Sequence, residues 1–279
     1  MTSLPTLFVS HGAPTFALQP GCAGPALSVL GRRLLRPRAI LVVSPHWLSR
    51  SVDITGAAQP ETIHDFGGFE QRLYELQYPA PGAPALAREI NTRLRAAGYP
   101  SQIQATRGLD HGVWVPLRYL FPDADVPVLQ LALQPQQAPG YYYELGRTLA
   151  ALANEGVLIV GSGSITHNLY DYRPGQAAAA YVLEFIAWLH SAVGRGDLDA
   201  LLDYRRQAPH AARAHPTDEH LMPFYVALGA ADDWTQNLRI DGGVTDAALG
   251  MDGFVFGTAS NVLGVAPKQA ASEISDVTV

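Results

Sequence analysis

Short β-branched runs alternate with longer helical patterns along this chain, and that alternation most restricts its fold. Residues 6–10, 39–44, 52–55, 102–106, 126–133, 157–160 and 253–257 read as strands. Residues 24–35, 83–97, 115–120, 140–154, 176–193, 198–204 and 217–228 read as helices. Such alternation builds βαβ units, which pack helices on both faces of a mostly parallel sheet. The runs AILVV (39–43) and VLIV (157–160) are apolar at every position, as strands buried on both faces require. The expected architecture is α/β: a single domain with a central, mostly parallel or mixed β-sheet flanked by helices on both faces. The segment YPAPGAP (78–84) opens a helix rather than forming a tether, and no repeat of about 20–50 residues is present. The expected domain covers 1–267, and the small and polar residues 268–279 read as a frayed tail.

Composition excludes several classes of function. The net charge is -6, and the one basic cluster, GRRLLRPR (31–38), reads as the end of an amphipathic helix, which argues against nucleic acid as a partner. No apolar run reaches the length of about 18 residues needed to cross a membrane. The start MTSLPTLF lacks the basic and apolar regions of a secretory signal, so a cytoplasmic protein is expected. Cys22 is the sole cysteine, so a thiolate-rich zinc site is excluded and any metal must be held by nitrogen and oxygen. The sequence leaves the oligomeric state open.

Histidines stand where strands should end. His11 follows TLFVS directly, His46 follows LVVSP, and His167 lies beyond VLIV and the bend GSGSIT. Ligands of open α/β sheets collect outside the carboxyl ends of the strands, so these side chains can converge on one metal or acid–base site. His111 sits in LDHGVWVPL and His220 in HPTDEHLMPF. Thr217 reads as a helix N-cap with Asp218 and Glu219 in the first turn, which would put His220 one turn into the helix. Either His220 or one of those carboxylates could complete a ligand set. Two His and a carboxylate suit non-haem Fe(II), whereas three His with an open position suit catalytic zinc. GSGS lacks the third glycine or lysine of a phosphate loop, and its glycines read as bending the chain to aim His167 into the cleft. His190 reads as a structural residue in the last turn of its helix. His210 and His215 read as solvent-facing loop residues.

Seven segments together resemble the class III extradiol ring-cleavage dioxygenases, and within them the 4,5-DOPA extradiol dioxygenase family. They are FVSHGAPT (8–15), SPHW (44–47), TIHDFGGF (62–69), LYELQYPAPG (73–82), RGLDHGVWVPL (107–117), GSGSITHNL (161–169) and HPTDEHLMP (215–223). The resemblance implies that His11, His46 and His220 bind a metal, His220 standing where the protocatechuate branch uses a glutamate. It implies that His167 is the acid–base residue and a possible fourth ligand, and that His111 orients substrate and oxygen. It makes His64, Asp65 and Tyr78 parts of the substrate pocket. The implied cofactor is Fe(II) for activity, with Zn(II) expected in purified protein, because Zn(II) binds such ligands more tightly. The implied partners are a small catechol and O2, both atoms of which enter the product as the ring opens beside its hydroxyls. Two other readings are compatible with the histidines: a zinc-dependent hydrolase of a small ester or amide, and a non-catalytic metal-binding scaffold. The presence of His11, His46, His111 and His167 together argues against the scaffold.

Overall fold

The computed structural model describes residues 3–257. The expected tail, 268–279, lies outside the described residues. Eleven strands are described: β1 (Thr6–Ser10), β2 (Ala39–Leu48), β3 (Ile54–Thr55), β4 (Ile103–Gln104), β5 (Val128–Leu133), β6 (Val157–Gly163), β7 (Thr166–His167), β8 (Asn237–Ile240), β9 (Val244–Thr245), β10 (Leu249–Gly250) and β11 (Gly253–Phe256). Eight form one sheet in the order β4-β3-β5-β2-β6-β1-β11-β8, and β7-β10-β9 form a small second sheet. The central strands β5, β2, β6 and β1 are parallel, whereas β11 and β8 add to one side antiparallel. The sheet is therefore mixed, and the α/β expectation holds.

The apolar runs serve two cores at once. On β2, Ala39, Leu41 and Val43 face the helices Pro84–Ala96, Pro139–Leu149, Ala180–Gly194 and Met222–Ala230, while Ile40 and Val42 face the helices Ala23–Arg33 and His111–Leu120. Val157 and Ile159 of β6 join the first layer, and Leu158 and Val160 join the second. Period-two alternation with both faces covered is why these runs carry no polar residue.

Several boundaries differ from expectation, and they matter for the site. β2 continues to Leu48 with a register shift after Val43, so His46 lies within the strand. β6 continues through the glycines to Gly163, which therefore do not bend the chain. They permit close packing instead: a Cβ on Gly161 would strike the Pro223 carbonyl, and one on Gly163 the His220 carbonyl. The last major helix starts at Met222, with Pro223 in its first turn, rather than at Thr217. Proline suits a first turn, where its missing N–H has no partner to lose. His220 thus precedes the helix. The helix Ala180–Gly194 also starts later than expected, because the Ala179 N–H is committed to the Ala247 carbonyl.

Candidate active site

Five histidines from separate parts of the chain meet at the carboxyl ends of β1, β2 and β6. His11 leaves β1 where Gly12 turns the backbone at φ +61°, a conformation open to glycine. His167 is carried back over the cleft by β7, which pairs with β10. His220 is held by backbone contact, its carbonyl accepting from the Ser164 N–H at 2.9 Å. His111 is the first residue of the helix His111–Leu120. The ring centroids of His11, His46 and His220 lie 5.0, 5.1 and 5.5 Å apart. His111 stands 3.9 Å from His46, and His167 stacks on His220 at 3.4 Å. Ligand atoms of His11, His46 and His111 lie within 4.8 Å of one another, as do those of His167, Glu219 and His220. A cavity of about 590 Å³ opens over these residues. Its outer wall carries Phe66, Phe69, Leu169, Tyr172 and Leu249.

Such a site can be compared with known proteins. A family model for the catalytic LigB subunit of aromatic ring-opening dioxygenase matches residues 27–250. This chain belongs to that family. It is 40% identical to a 4,5-DOPA dioxygenase extradiol of Beta vulgaris, over 82% of this chain and 87% of that protein. It is 38% identical to a protein of the same name from Escherichia coli K12, over 83% and 86%. The crystal structure of an uncharacterized protein from Escherichia coli K12 superimposes with a TM-score of 0.75 at 30% identity, covering 91% of this chain and 100% of that one. The reading of the sequence as an extradiol, aromatic ring-opening dioxygenase therefore stands.

The hydrogen bonds of this LigB-family chain decide which nitrogen each imidazole offers. Pro116 has no N–H, so the Gly112 carbonyl four residues earlier lacks its helical donor and accepts the Ser162 hydroxyl instead. With its proton so used, Ser162 Oγ accepts from His11 Nδ1–H at 3.0 Å. His111 Nδ1–H donates to Asp65 Oδ2 at 3.0 Å, and His220 Nδ1–H to Glu219 Oε1 at 3.1 Å. His46 Nδ1 faces the same Asp65 oxygen at 3.5 Å. At His11, His111 and His220 Nε2 is thereby left as a lone pair, the tautomer a metal ligand needs, and the Asp65 charge favours the same tautomer at His46. His11 Nε2 and His46 Nε2 approach to 3.1 Å, and His220 Nε2 is buried with no hydrogen-bond partner. Two lone pairs at that distance repel unless a cation lies between them. A tetrahedral metal with Zn–N bonds of ~2.0–2.1 Å would hold its nitrogens ~3.3 Å apart. The donor set therefore fits a divalent metal.

Burial favours the neutral imidazole at His11, His46, His167 and His220. Burial and the neighbouring histidines hold His11 and His220 well below the usual histidine range. Burial, followed by His111, lowers His46 to about 3, although Asp65 opposes the shift. Burial lowers His167 to about 4 against the raising influence of Glu219. Burial pushes the Asp65 carboxyl up, but its bonds to His111 outweigh that and hold it at about 2.

Three residues expected in the substrate pocket stand elsewhere. Tyr78 is buried under the sheet, and its hydroxyl donates to the Phe121 carbonyl at 2.9 Å. His64 is bound to the Leu76 carbonyl at 2.9 Å and packs behind Phe66 against Trp114. Neither lines the cavity. Asp65 orients His111 and His46 from behind, and its neighbours Phe66, Gly67 and Phe69 reach the cavity instead. His215, expected in solvent, is fully buried with its Nε2 on the Ile165 carbonyl at 2.8 Å, two residues from His167. His190 is not in the last turn, and its Nε2 stands 2.9 Å from Asp252. Local sequence gives no signal for Ser162, because its role depends on the proline of a distant helix.

Proposed function

We propose that this protein opens the ring of a small catechol with a DOPA-like side chain, using O2 and Fe(II) held by His11, His46 and His220. The supporting observation is the trio of Nε2 lone pairs fixed by Ser162, Asp65 and Glu219, with the buried, unpartnered Nε2 of His220 among them. Bound Fe(II) would gather the catechol oxygens and O2 at one centre. His167, neutral near pH 7 and stacked on His220, is the acid–base residue that accepts a catechol proton and returns it. The same stacking leaves it close enough to serve as a fourth ligand before substrate enters. His111, held by Asp65, stands beside His46 on the cavity wall, where it orients the bound ring and oxygen. Phe66, Phe69 and Leu169 cover an aromatic ring and keep water from it. Zn(II) competes for the same nitrogens and is expected in protein purified without added iron. The dioxygenase names of the relatives favour oxygen chemistry over hydrolysis, and a cytoplasmic setting suits readily oxidised Fe(II). Protein stripped of metal, reconstituted anaerobically with Fe(II), mixed with DOPA or 4-methylcatechol and then given oxygen should consume O2 and form a yellow ring-opened product. No uptake across a catechol panel overturns this function.

A further inference from the structure

His46 sits in the stretch of β2 that the sheet ladder leaves unpaired. Val43 pairs with Leu131 of β5 and Gly161 of β6, and the next pair is Leu48 with Leu133. Residues 44–47 therefore stand where β5 has Ala132 alone, in a bulge that includes Pro45, which has no N–H for a ladder. The Ala132 N–H is itself turned away, to the Asp53 carbonyl at 2.8 Å. Strand pairing thus leaves the His46 backbone unplaced, and side chains take over. Ser44 Oγ–H donates to Asp110 Oδ1 at 2.8 Å, which leaves an oxygen lone pair for the His46 N–H at 3.3 Å. Arg107 reaches the His46 carbonyl and Asp110 Oδ2, each at 3.5 Å, with its guanidinium 4.5 Å over the Trp47 ring. Gln130 of β5 clamps Asp110 from the other side: its amide donates to Oδ2, and its oxygen accepts the Asp110 N–H at 3.3 Å. Gly112 permits this packing, because a Cβ there would strike Ser44 Oγ and crowd the His46 ring. Ser44, Asp110 and Gln130 are fully buried, and Asp110 lines no part of the active-site cavity.

Resting on the reading of His46 as a metal ligand, we propose that Asp110 is a positioning residue for it: through Ser44 and Arg107, Asp110 fixes both backbone polar groups of His46, while Asp65 orients the ring. An ionised carboxylate only accepts, so it commits the Ser44 proton and leaves that hydroxyl free to accept from His46. Two variants test this. Asp110→Ala removes the hub, and Ser44→Ala removes one oxygen and keeps the test alive if the first variant fails to fold. In metal-free protein, hydrogen exchange at the His46 amide should quicken about tenfold in either variant, as loss of one hydrogen bond predicts. Zinc affinity, from chelator competition, should fall by roughly tenfold or more, and the absorption bands of bound Co(II) should shift as its ligand geometry relaxes. Tyr78→Phe serves as the control, since it deletes a buried hydrogen bond remote from the cavity. It should lower stability yet leave His46 exchange, zinc affinity and the Co(II) spectrum as they were. Unchanged His46 exchange or unchanged zinc affinity in Ser44→Ala overturns the proposal, and so does an equal loss of zinc affinity in Tyr78→Phe. Failure of the unsubstituted protein to bind zinc or cobalt overturns instead the ligand reading on which it rests.

Discussion

Replacing Asp65 by asparagine should damage the site more than replacing it by alanine. Asp65 Oδ1 accepts the His111 backbone N–H at 2.8 Å, and Oδ2 accepts His111 Nδ1–H at 3.0 Å with His46 Nδ1 at 3.5 Å. Every proton at this carboxylate points towards it. An asparagine in the same place must aim its NH2 at one of these N–H groups, whichever way its amide is turned. If the NH2 faces the rings, His46 and His111 are driven to place their protons on Nε2, where a proton blocks metal ligation. If it faces the backbone, the start of the helix His111–Leu120 loses its anchor. Alanine removes the carboxylate but leaves room for water, which can both donate and accept. Charge-assisted hydrogen bonds contribute about 1.5–3 kcal/mol, and loss of such outer partners commonly costs ~10–100-fold in metal affinity. The expected result for Asp65→Asn is therefore about 30-fold weaker metal binding, or ~2 kcal/mol, with Asp65→Ala nearer tenfold. Chelator competition at pH 7 with Zn(II), followed by KM for a catechol in iron-loaded protein, reads both effects. An asparagine variant with unchanged metal affinity and a raised KM would refute this reasoning and return Asp65 to the role of a substrate anchor.

Other outcomes follow from the same geometry. His167→Gln should lower kcat by roughly 10²–10⁴ while metal analysis shows the metal retained, as expected of an acid–base group; loss of metal would make His167 an obligatory ligand. Ser162→Ala leaves His11 Nδ1–H without an acceptor and should weaken metal binding about tenfold in the same competition assay. Tyr78→Phe should cost about 1 kcal/mol of stability in a denaturant titration, through the lost bond to Phe121, and leave KM unchanged. Burial lowers His215 to about 3, so between pH 6.5 and 3 the unfolded chain binds a proton that the folded chain refuses. This contribution is complete above pH 6.5 and is lost as pH falls, by about 2 kcal/mol at pH 5. His215→Gln should flatten that part of the stability profile, and an unchanged slope would place the titration elsewhere.

His11, His46 and His167 were legible as a group because each follows an apolar run, and strand ends are where open sheets place ligands. Their order of importance was not equally legible. The position of His46 inside β2 depends on pairing with β5, which continues past the expected strand end. His215 looks like a loop residue in HAARAHPTD, yet the packing of Phe185 and Tyr204 around it leaves it no access to water. Tyr78 and His64 lie in motifs that do shape the cavity, but they support it from behind while Phe66 and Phe69 face it. Local sequence marks a segment as belonging to the site; it does not say which side of that segment faces inward when there is no helical or strand period to decide it.

What the sequence determined by itself is the layered α/β architecture, the absence of a thiolate site and the set of imidazoles available at the sheet's edge. Those properties follow from period, composition and spacing, which are local. The tertiary structure decided which nitrogen each imidazole presents. Pro116 frees a carbonyl for Ser162, Ser162 orients His11, and one carboxylate from the 62–69 segment serves both His46 and His111. A tautomer is set by the partner at the other ring nitrogen, and apart from the adjacent Glu219 of His220 these partners are distant in sequence: Asp65 lies 46 residues from His111, and Ser162 lies 151 residues from His11. Glycines 161 and 163 complete the site for the same reason: only packing against the carbonyls of residues 223 and 220 makes their missing side chains matter.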